Sequence, residues 1–188
     1  MDRRVVSALL QRTDYRRWSD LHSIDADWEP RTRLIATFVP KGSRVIEFGA
    51  GTRRLETYLD PSCQYVPSDI ADRGPGTFIC DLNRRPLPTL DCFDTAVLIG
   101  VLEYVQNVPS VLDWLARHVS HCAVSYVCAR SAPHTFAALR DALGRLRMGW
   151  MNSYREQDLL AMFEARGFRR VKDATWMNNR VYLFSQSA

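Results

Sequence analysis

The sequence predicts a single α/β domain with a seven-stranded, mostly parallel sheet that follows a helical N-terminal region. From residue 43 onward, short runs of β-branched and aromatic residues alternate with segments whose apolar residues have helical spacing. This alternation is typical of strand–helix–strand units in a parallel sheet. Near the end, two strand-like runs, 168–176 and 180–186, are separated only by Met177-Asn178-Asn179. Because this link is too short for a crossover helix, we expect the last strand to be antiparallel to its predecessor.

The individual elements can be placed along the 188 residues in order. The N-terminal part, 1–40, is predicted to be a helical cap, with one or two helices over 3–20 and another over 28–39. Pro30 suits the first turn of the latter helix, and Pro40 with Gly42 ends it. The core, 43–188, is predicted to contain strands at 43–49, 64–69, 77–80, 92–100 and 122–129 before the hairpin, and helices at 53–59, 108–119, 133–146 and 154–166.

Composition excludes several functional classes. The net charge of +4 arises from 25 basic and 21 acidic residues, and the arginines are scattered as doublets rather than gathered into a run. This pattern argues against a nucleic-acid partner. The N-terminal apolar run is too short for a signal peptide or a membrane span, so we expect a cytoplasmic protein, monomeric or homodimeric. Five cysteines without a CxxC motif predict reduced, buried thiols and no metal site.

The loop after the first predicted strand is Gly49-Ala50-Gly51. In an open parallel sheet, ligands bind outside the carboxyl ends of the strands. Two glycines there let the backbone approach a ligand closely and leave the following N–H groups pointing at it. By itself the loop is equally well explained as a tight strand-to-helix turn.

Acidic residues at the ends of the next two strands favour a nucleoside ligand. Asp69 lies 22 residues after Glu47, at the position where an acid accepts hydrogen bonds from a ribose diol. Asp81 follows the third strand, where a carboxylate can accept the exocyclic amine of adenine while Leu82 packs on the ring. The alternative for both acids is a turn or capping role.

Glu47 distinguishes between nucleotide ligands. It lies two residues before Gly49, where it would repel the pyrophosphate of a dinucleotide. A ligand with a positively charged end would instead be attracted. S-adenosylmethionine is such a ligand, because it carries a sulfonium and an ammonium beside its adenosine.

The motifs "VIEFGAG", "YVPSD", "CDLN" and "FDTAVLIGVLEYV" resemble, in order and spacing, those of the class I S-adenosylmethionine-dependent methyltransferases. The closing helix and hairpin resemble that family as well. The resemblance implies a Rossmann-like three-layer sandwich with strand order 3-2-1-4-5-7-6. It also implies a cofactor site in which Glu47, Gly49, Ala50 and Gly51 line the methionine end, Asp69 and Ile70 the ribose, and Asp81 and Leu82 the adenine, with Leu98 and Ile99 in contact after the fourth strand.

One position departs from the family pattern. Arg53 stands where the family often has a third glycine. Its side chain is predicted either to point to solvent or to pair with the cofactor carboxylate, and in both cases the loop packs less closely than with glycine.

The resemblance implies methyl transfer to a small polar acceptor, which we take to be a hydroxyl of a sugar or secondary metabolite, as in small bacterial enzymes of this type. His134 is the candidate general base, because it follows the fifth strand on the ligand side. Aromatic residues of the leading helices (Tyr15, Trp18, Trp28) and of the "GWMNSY" turn (Trp150, Asn152, Tyr154) are expected around the acceptor. For the last turn, a core and capping role is the alternative.

Two other functions stay open at this stage. One is a methyltransferase-like scaffold with weak or absent cofactor binding, which Arg53 and the lack of an obvious base would permit. The other is an NAD-dependent oxidoreductase, which Glu47, the missing third glycine and the terminal hairpin disfavour.

Overall fold

A computed structural model describes residues 2–130 and 135–186. Within them, seven strands form one sheet in the order β3-β2-β1-β4-β5-β7-β6. The strands are β1 (Arg44–Phe48), β2 (Gln64–Asp69), β3 (Phe78–Ile79), β4 (Thr95–Ile99), β5 (His121–Tyr126), β6 (Phe168–Trp176) and β7 (Asn179–Gln186). Strands β1 to β5 pair in parallel, and β7 is antiparallel to both β5 and β6. The predicted strand order and the antiparallel last strand are confirmed.

Helices cover both faces of the sheet. They are α1 (Arg3–Leu9), α2 (Tyr15–Ser19), α3 (Glu29–Ala36), α4 (Val108–Leu115), α5 (Phe136–Met148) and α6 (Glu156–Glu164). Alternate residues of the central strands enter two separate cores, as the pleat of a strand requires. On β1, Ile46 packs into the core that contains α4 and α6, whereas Val45 packs into the core that contains α3. The result is the predicted three-layer sandwich.

The helix predicted at 53–59 is replaced by one 3₁₀ turn, Arg54–Thr57. Arg53 has a left-handed backbone (φ 59°) immediately before the turn, and β2 already begins at Gln64. The left-handed conformation excludes Arg53 from a right-handed helix. The chain between Gly51 and β2 is therefore a loop with a single 3₁₀ turn.

The cysteines are all free. Cys80 and Cys122 are buried, Cys63 and Cys128 are half-buried, and Cys92 is exposed. The expectation of buried thiols was therefore wrong for Cys92, which lies in the loop before β4 rather than in the strand. Burial raises the pKa of the Cys80 thiol to about 12.

Candidate active site

A cavity of about 760 Å³ opens at the carboxyl ends of β1, β2, β3 and β4. This is where parallel α/β sheets bind ligands. The strand ends form one wall. The opposite wall is built by the N-terminal segment between Thr13 and Thr32, together with the β6–β7 turn from Trp176 to Asn179. The volume is in the range of sites that enclose small organic ligands.

The glycine loop lies at the centre of the cavity. Gly49 and Gly51 have positive φ angles of 69° and 53°, which glycine adopts without strain. Space also requires glycine here: a Cβ on Gly49 would lie 2.7 Å from Val101 Cγ2, and one on Gly51 would lie 2.7 Å from Ile24 Cδ1. The loop is therefore held between the β4 end and the N-terminal segment, and its backbone, including Ala50, lines the cavity.

Glu47 is buried below this loop and lines the same cavity. The Tyr65 hydroxyl donates a hydrogen bond of 2.5 Å to Glu47 Oε2. Burial raises the pKa of Glu47 to about 8, against the opposing effect of the Tyr65 hydrogen bond, and nearby Asp69 raises it further. A positive group placed beside this carboxyl would favour its ionised form.

Asp69 is buried at the end of β2 and is already engaged by the protein. Its Oδ2 accepts from the Gly51 N–H at 2.9 Å, and its Oδ1 accepts from the Ile70 N–H at 2.7 Å. Arg73 forms an ion pair with it at 3.1 Å, and the two side chains are only 4% and 6% exposed. Arg73 also donates to the backbone carbonyls of Trp18 and Ser19. The β2 end is thus connected directly to the N-terminal segment.

Asp81, Leu82 and Ile70 line the cavity at its β3 side. Asp81 Oδ1 accepts from the Asn83 N–H at 2.9 Å and from the Thr13 hydroxyl at 2.8 Å. This carboxylate therefore makes a turn contact, as the capping alternative required, and also binds the N-terminal segment. Asp81 is nevertheless part of the cavity lining, and its adenine contact stays a prediction.

The two β4 residues of the predicted cofactor site face different ways. Ile99 lines the cavity. Leu98 is fully buried in the core beside α4 and contributes nothing to the lining. Successive strand residues point to opposite faces, so adjacent positions cannot both present side chains to one ligand. Leu98 supports the sheet below the site.

Arg53, whose role was open between solvent and cofactor, makes other contacts. It donates to the Pro75 carbonyl at 3.1 Å and pairs with Glu56 at 3.0 Å. Its side chain lies outside the cavity lining, whereas its neighbour Arg54 is part of it. The third glycine position is therefore filled by an arginine that joins the loop after β1 to the loop after β2.

The candidate base His134 lies outside the described residues. Tyr126, at the end of β5, is fully buried and donates to Asn152 Oδ1 at 2.6 Å while accepting from the Tyr154 N–H. Asn152 in turn donates to the carbonyls of Leu102 and Val105. These residues brace the turn after β4 and do not line the cavity. Of the predicted acceptor residues, Trp18, Trp28 and Trp150 do line it.

Two charged residues that the sequence did not single out line the far side of the cavity, beyond β4. Glu103, in the 3₁₀ turn Leu102–Tyr104, is 1% exposed. Its Oε1 accepts from the Val127 N–H at 3.0 Å, and its Oε2 has no hydrogen-bond partner within the described chain. Burial raises the pKa of Glu103. Arg31, from α3, is 8% exposed and lines the same part of the cavity.

Neither residue could be recognised from the sequence as part of a site. Arg31 is an arginine in a helix rich in basic residues, and Glu103 is one acid in a turn. The signal that could have revealed Glu103 was the stretch "LEY", which follows shortly after the end of β4. A polar residue at that place faces the ligand side of the sheet.

The described part of the chain contains neither a candidate metal site nor a candidate membrane span. No group of three His, Cys, Asp or Glu residues there has the arrangement of a metal site. None of the helices in that part is both long and apolar enough to cross a bilayer.

A sequence profile of the methyltransferase domain family matches residues 18–172. This range covers most of the chain and includes the glycine loop and the acids that line the cavity. The chain belongs to the class I S-adenosylmethionine-dependent methyltransferases. This methyltransferase is an enzyme with S-adenosylmethionine as its cofactor, and the family match argues against the oxidoreductase alternative.

Solved structures of methyltransferases have the same fold. The magnesium protoporphyrin IX methyltransferase of Synechocystis PCC 6803, with S-adenosylhomocysteine bound, matches with a TM-score of 0.63 and 16% identity over 97% of this chain and 98% of its own. Human N-acetylserotonin methyltransferase, in complex with S-adenosylmethionine, matches with a TM-score of 0.65 and 14% identity over 100% of this chain and 60% of its own. The mitomycin 7-O-methyltransferase MmcR matches with a TM-score of 0.62 and 14% identity over 89% of this chain and 56% of its own.

These likenesses concern the fold. The chain spans 54 to 66% of the length of three of the matched structures. No curated protein sequence matches it significantly. The acceptor of this methyltransferase therefore has to be argued from its own cavity.

Proposed function

We propose that this methyltransferase transfers the methyl group to a hydroxyl of a small polar molecule. The observation that carries the proposal is Glu103, a buried carboxyl with one oxygen free of protein hydrogen bonds, on the wall of the cavity beyond the glycine loop. A neutral hydroxyl acceptor must lose its proton, and a carboxyl with a raised pKa is suited to take it. The fold is also compatible with oxygen as acceptor atom, since MmcR is a 7-O-methyltransferase.

The cofactor half of the cavity fits S-adenosylmethionine. Gly49 and Gly51 present bare backbone to the cavity, and Glu47 offers a carboxyl to an ammonium group. We assign the ribose to Asp69 and Ile70, and the adenine to Asp81 and Leu82. When bound, S-adenosylmethionine supplies an electrophilic methyl group on a sulfonium.

The chain's own residues have three tasks in this proposal. The glycine loop and the acids orient the cofactor, and orientation alone removes much of the barrier. The N-terminal segment, tied to the strand ends through Arg73 and Thr13, excludes water from the site. Glu103 Oε2 accepts the proton from the acceptor hydroxyl while Oε1 remains bonded to Val127 N–H.

The test uses S-adenosylmethionine labelled with ¹³C in its methyl group and a panel of phenols, sugars, aliphatic alcohols and amines. Mass spectrometry detects transfer, and the ¹³C chemical shift separates O-methyl from N- and C-methyl products. Products methylated only on nitrogen or carbon would overturn the proposal.

Glu103→Gln tests the proposed base. The amide oxygen of glutamine can still accept from Val127 N–H, so the fold should be preserved. We expect kcat to fall by roughly 10²- to 10⁴-fold, the usual contribution of a general base. The rise of kcat with pH that reports Glu103 ionisation should disappear as well. An unchanged kcat and pH profile would show that Glu103 is not the base.

A further inference from the structure

Arg31 is a buried charge that forms no ion pair within the described residues, although nearby Glu103 opposes the effect of burial on its pKa. Arg31 is 8% exposed. Its one hydrogen bond runs from Nη1 to Asn179 Oδ1, at 3.1 Å. Burial lowers the pKa of Arg31. Arginine is rarely buried unless it is paired, because taking a charge out of water is costly.

The guanidinium is held in a flat aromatic slot. Its Cζ lies 5.4 Å from the centre of the Trp28 ring and 5.6 Å from that of Trp176. A third side of the slot is Gly100, at the end of β4, where an added Cβ would lie 2.9 Å from Arg31 Nη1. Elements from three parts of the chain thus fix the guanidinium in place against the cavity wall.

Two donors of Arg31 remain free. Nε is buried without a partner, and Nη2 makes no hydrogen bond to the described residues. These atoms form one edge of the guanidinium, the edge that binds both oxygens of a carboxylate. Glu103 lines the same cavity and forms no ion pair with Arg31.

The surroundings of this edge are aromatic. Trp28, Trp150, Trp176 and Tyr104 all contribute to the cavity wall, and flat rings pack well between such side chains. We propose that Arg31 binds the carboxylate of the methyl acceptor, and that the acceptor is a hydroxylated aromatic acid. This inference rests on the proposed function, and it specifies the substrate class of the same site.

Direct binding tests the inference. The protein, saturated with S-adenosylhomocysteine, is titrated calorimetrically with hydroxybenzoic, hydroxycinnamic and hydroxynaphthoic acids, each paired with its primary amide. We expect at least one acid to bind ten or more times tighter than its amide. If no acid in the panel binds, or if each acid and its amide bind equally, the inference is overturned.

Variants assign the preference to Arg31. Arg31→Met keeps an unbranched apolar stem but removes the charge, and it should abolish the preference for acid over amide, whereas Arg31→Lys should retain part of it. Arg33→Met is the matched control, because Arg33 lies on the same helix but is exposed and paired with Glu29. A preference that survives in folded Arg31→Met would contradict the assignment. The wild-type comparison of acids with amides needs no variant, so it stands even if Arg31→Met fails to fold.

The outcomes separate this inference from the proposed function. O-methylation of neutral phenols without preference for acids would remove the role of Arg31 and leave hydroxyl methylation intact. Methylation of nitrogen or carbon alone would overturn the proposed function, even if aromatic acids bind at Arg31.

Discussion

At the scale of single residues, Asp69 shows how a proposed ligand position can also be structural. A strand-end acid is expected to tolerate replacement, but Asp69 is the ion-pair partner of buried Arg73 and accepts three backbone N–H groups. Removing one partner of a buried ion pair leaves the other charge uncompensated. We expect Asp69→Ala to lower the free energy of unfolding by about 3–5 kcal/mol.

Urea denaturation measures this loss. Asp72→Ala is the control, because Asp72 is exposed and, among the described residues, its carboxylate accepts only from the Gly74 N–H. Its cost should be about 0.5–2 kcal/mol, as for the loss of a cap. Equal costs for the two variants would mean that the Arg73 ion pair contributes little to stability.

The proposed contact between Glu47 and the ammonium of the ligand predicts that cofactor binding depends on pH. Its pKa of about 8 in the free protein means that it is largely protonated at pH 7. The ammonium of the ligand favours the carboxylate, so binding must release the proton, and affinity must rise as the pH approaches 8. Calorimetry of S-adenosylhomocysteine binding at pH 7, in buffers of different ionisation enthalpy, should show release of about one proton. In Glu47→Gln this release should vanish; the same proton count in both proteins would contradict the role.

At the scale of elements, the loop after β1 depends on its contact with the N-terminal segment. Gly51 and Gly42 both have positive φ angles, 53° and 72°, but only at Gly51 would a Cβ meet another side chain, Ile24. Both alanine variants should lose about 1–3 kcal/mol of stability through backbone strain. Gly51→Ala should lose more, by a steric amount that Ile24→Ala restores in the double variant. Urea denaturation measures both losses. Equal losses at the two glycines would show that the Ile24 side chain yields to the added Cβ without a measurable cost.

At the scale of the whole molecule, cofactor binding should stabilise the fold. The proposed site joins the ends of four strands to the N-terminal segment, so a ligand there binds only the native state. S-adenosylhomocysteine at 100 times its Kd should add about 2.7 kcal/mol. For a chain of this size, that corresponds to a rise in Tm of roughly 5–11 °C. NAD is the control, and an equal shift with NAD would contradict the cofactor selectivity that Glu47 is proposed to supply.

Local patterns were enough to predict the sheet and the strand ends. The prediction used three features: the alternation of strands and helices, the short link at Met177, and the spacing of Glu47, Asp69 and Asp81. All three depend on nearest-neighbour geometry along each strand. The sequence by itself therefore determined which strand ends meet, and the resemblance supplied the strand order and cofactor. The sequence also indicated that aromatic residues of the N-terminal segment face the site, and Trp18 and Trp28 do line the cavity.

Only the tertiary structure decided what each side chain does at that edge. Three contacts illustrate this: the Asp69–Arg73 ion pair, the hydrogen bond of Thr13 to Asp81, and the packing of Arg31 against Trp28, Trp176 and Gly100. Each contact involves residues that are distant in the sequence or ordinary in their local context. No periodicity records such contacts, because they arise when separate elements pack against one another. Burial has the same origin: Glu103 and Arg31 become chemically distinctive only because the assembled fold removes them from water.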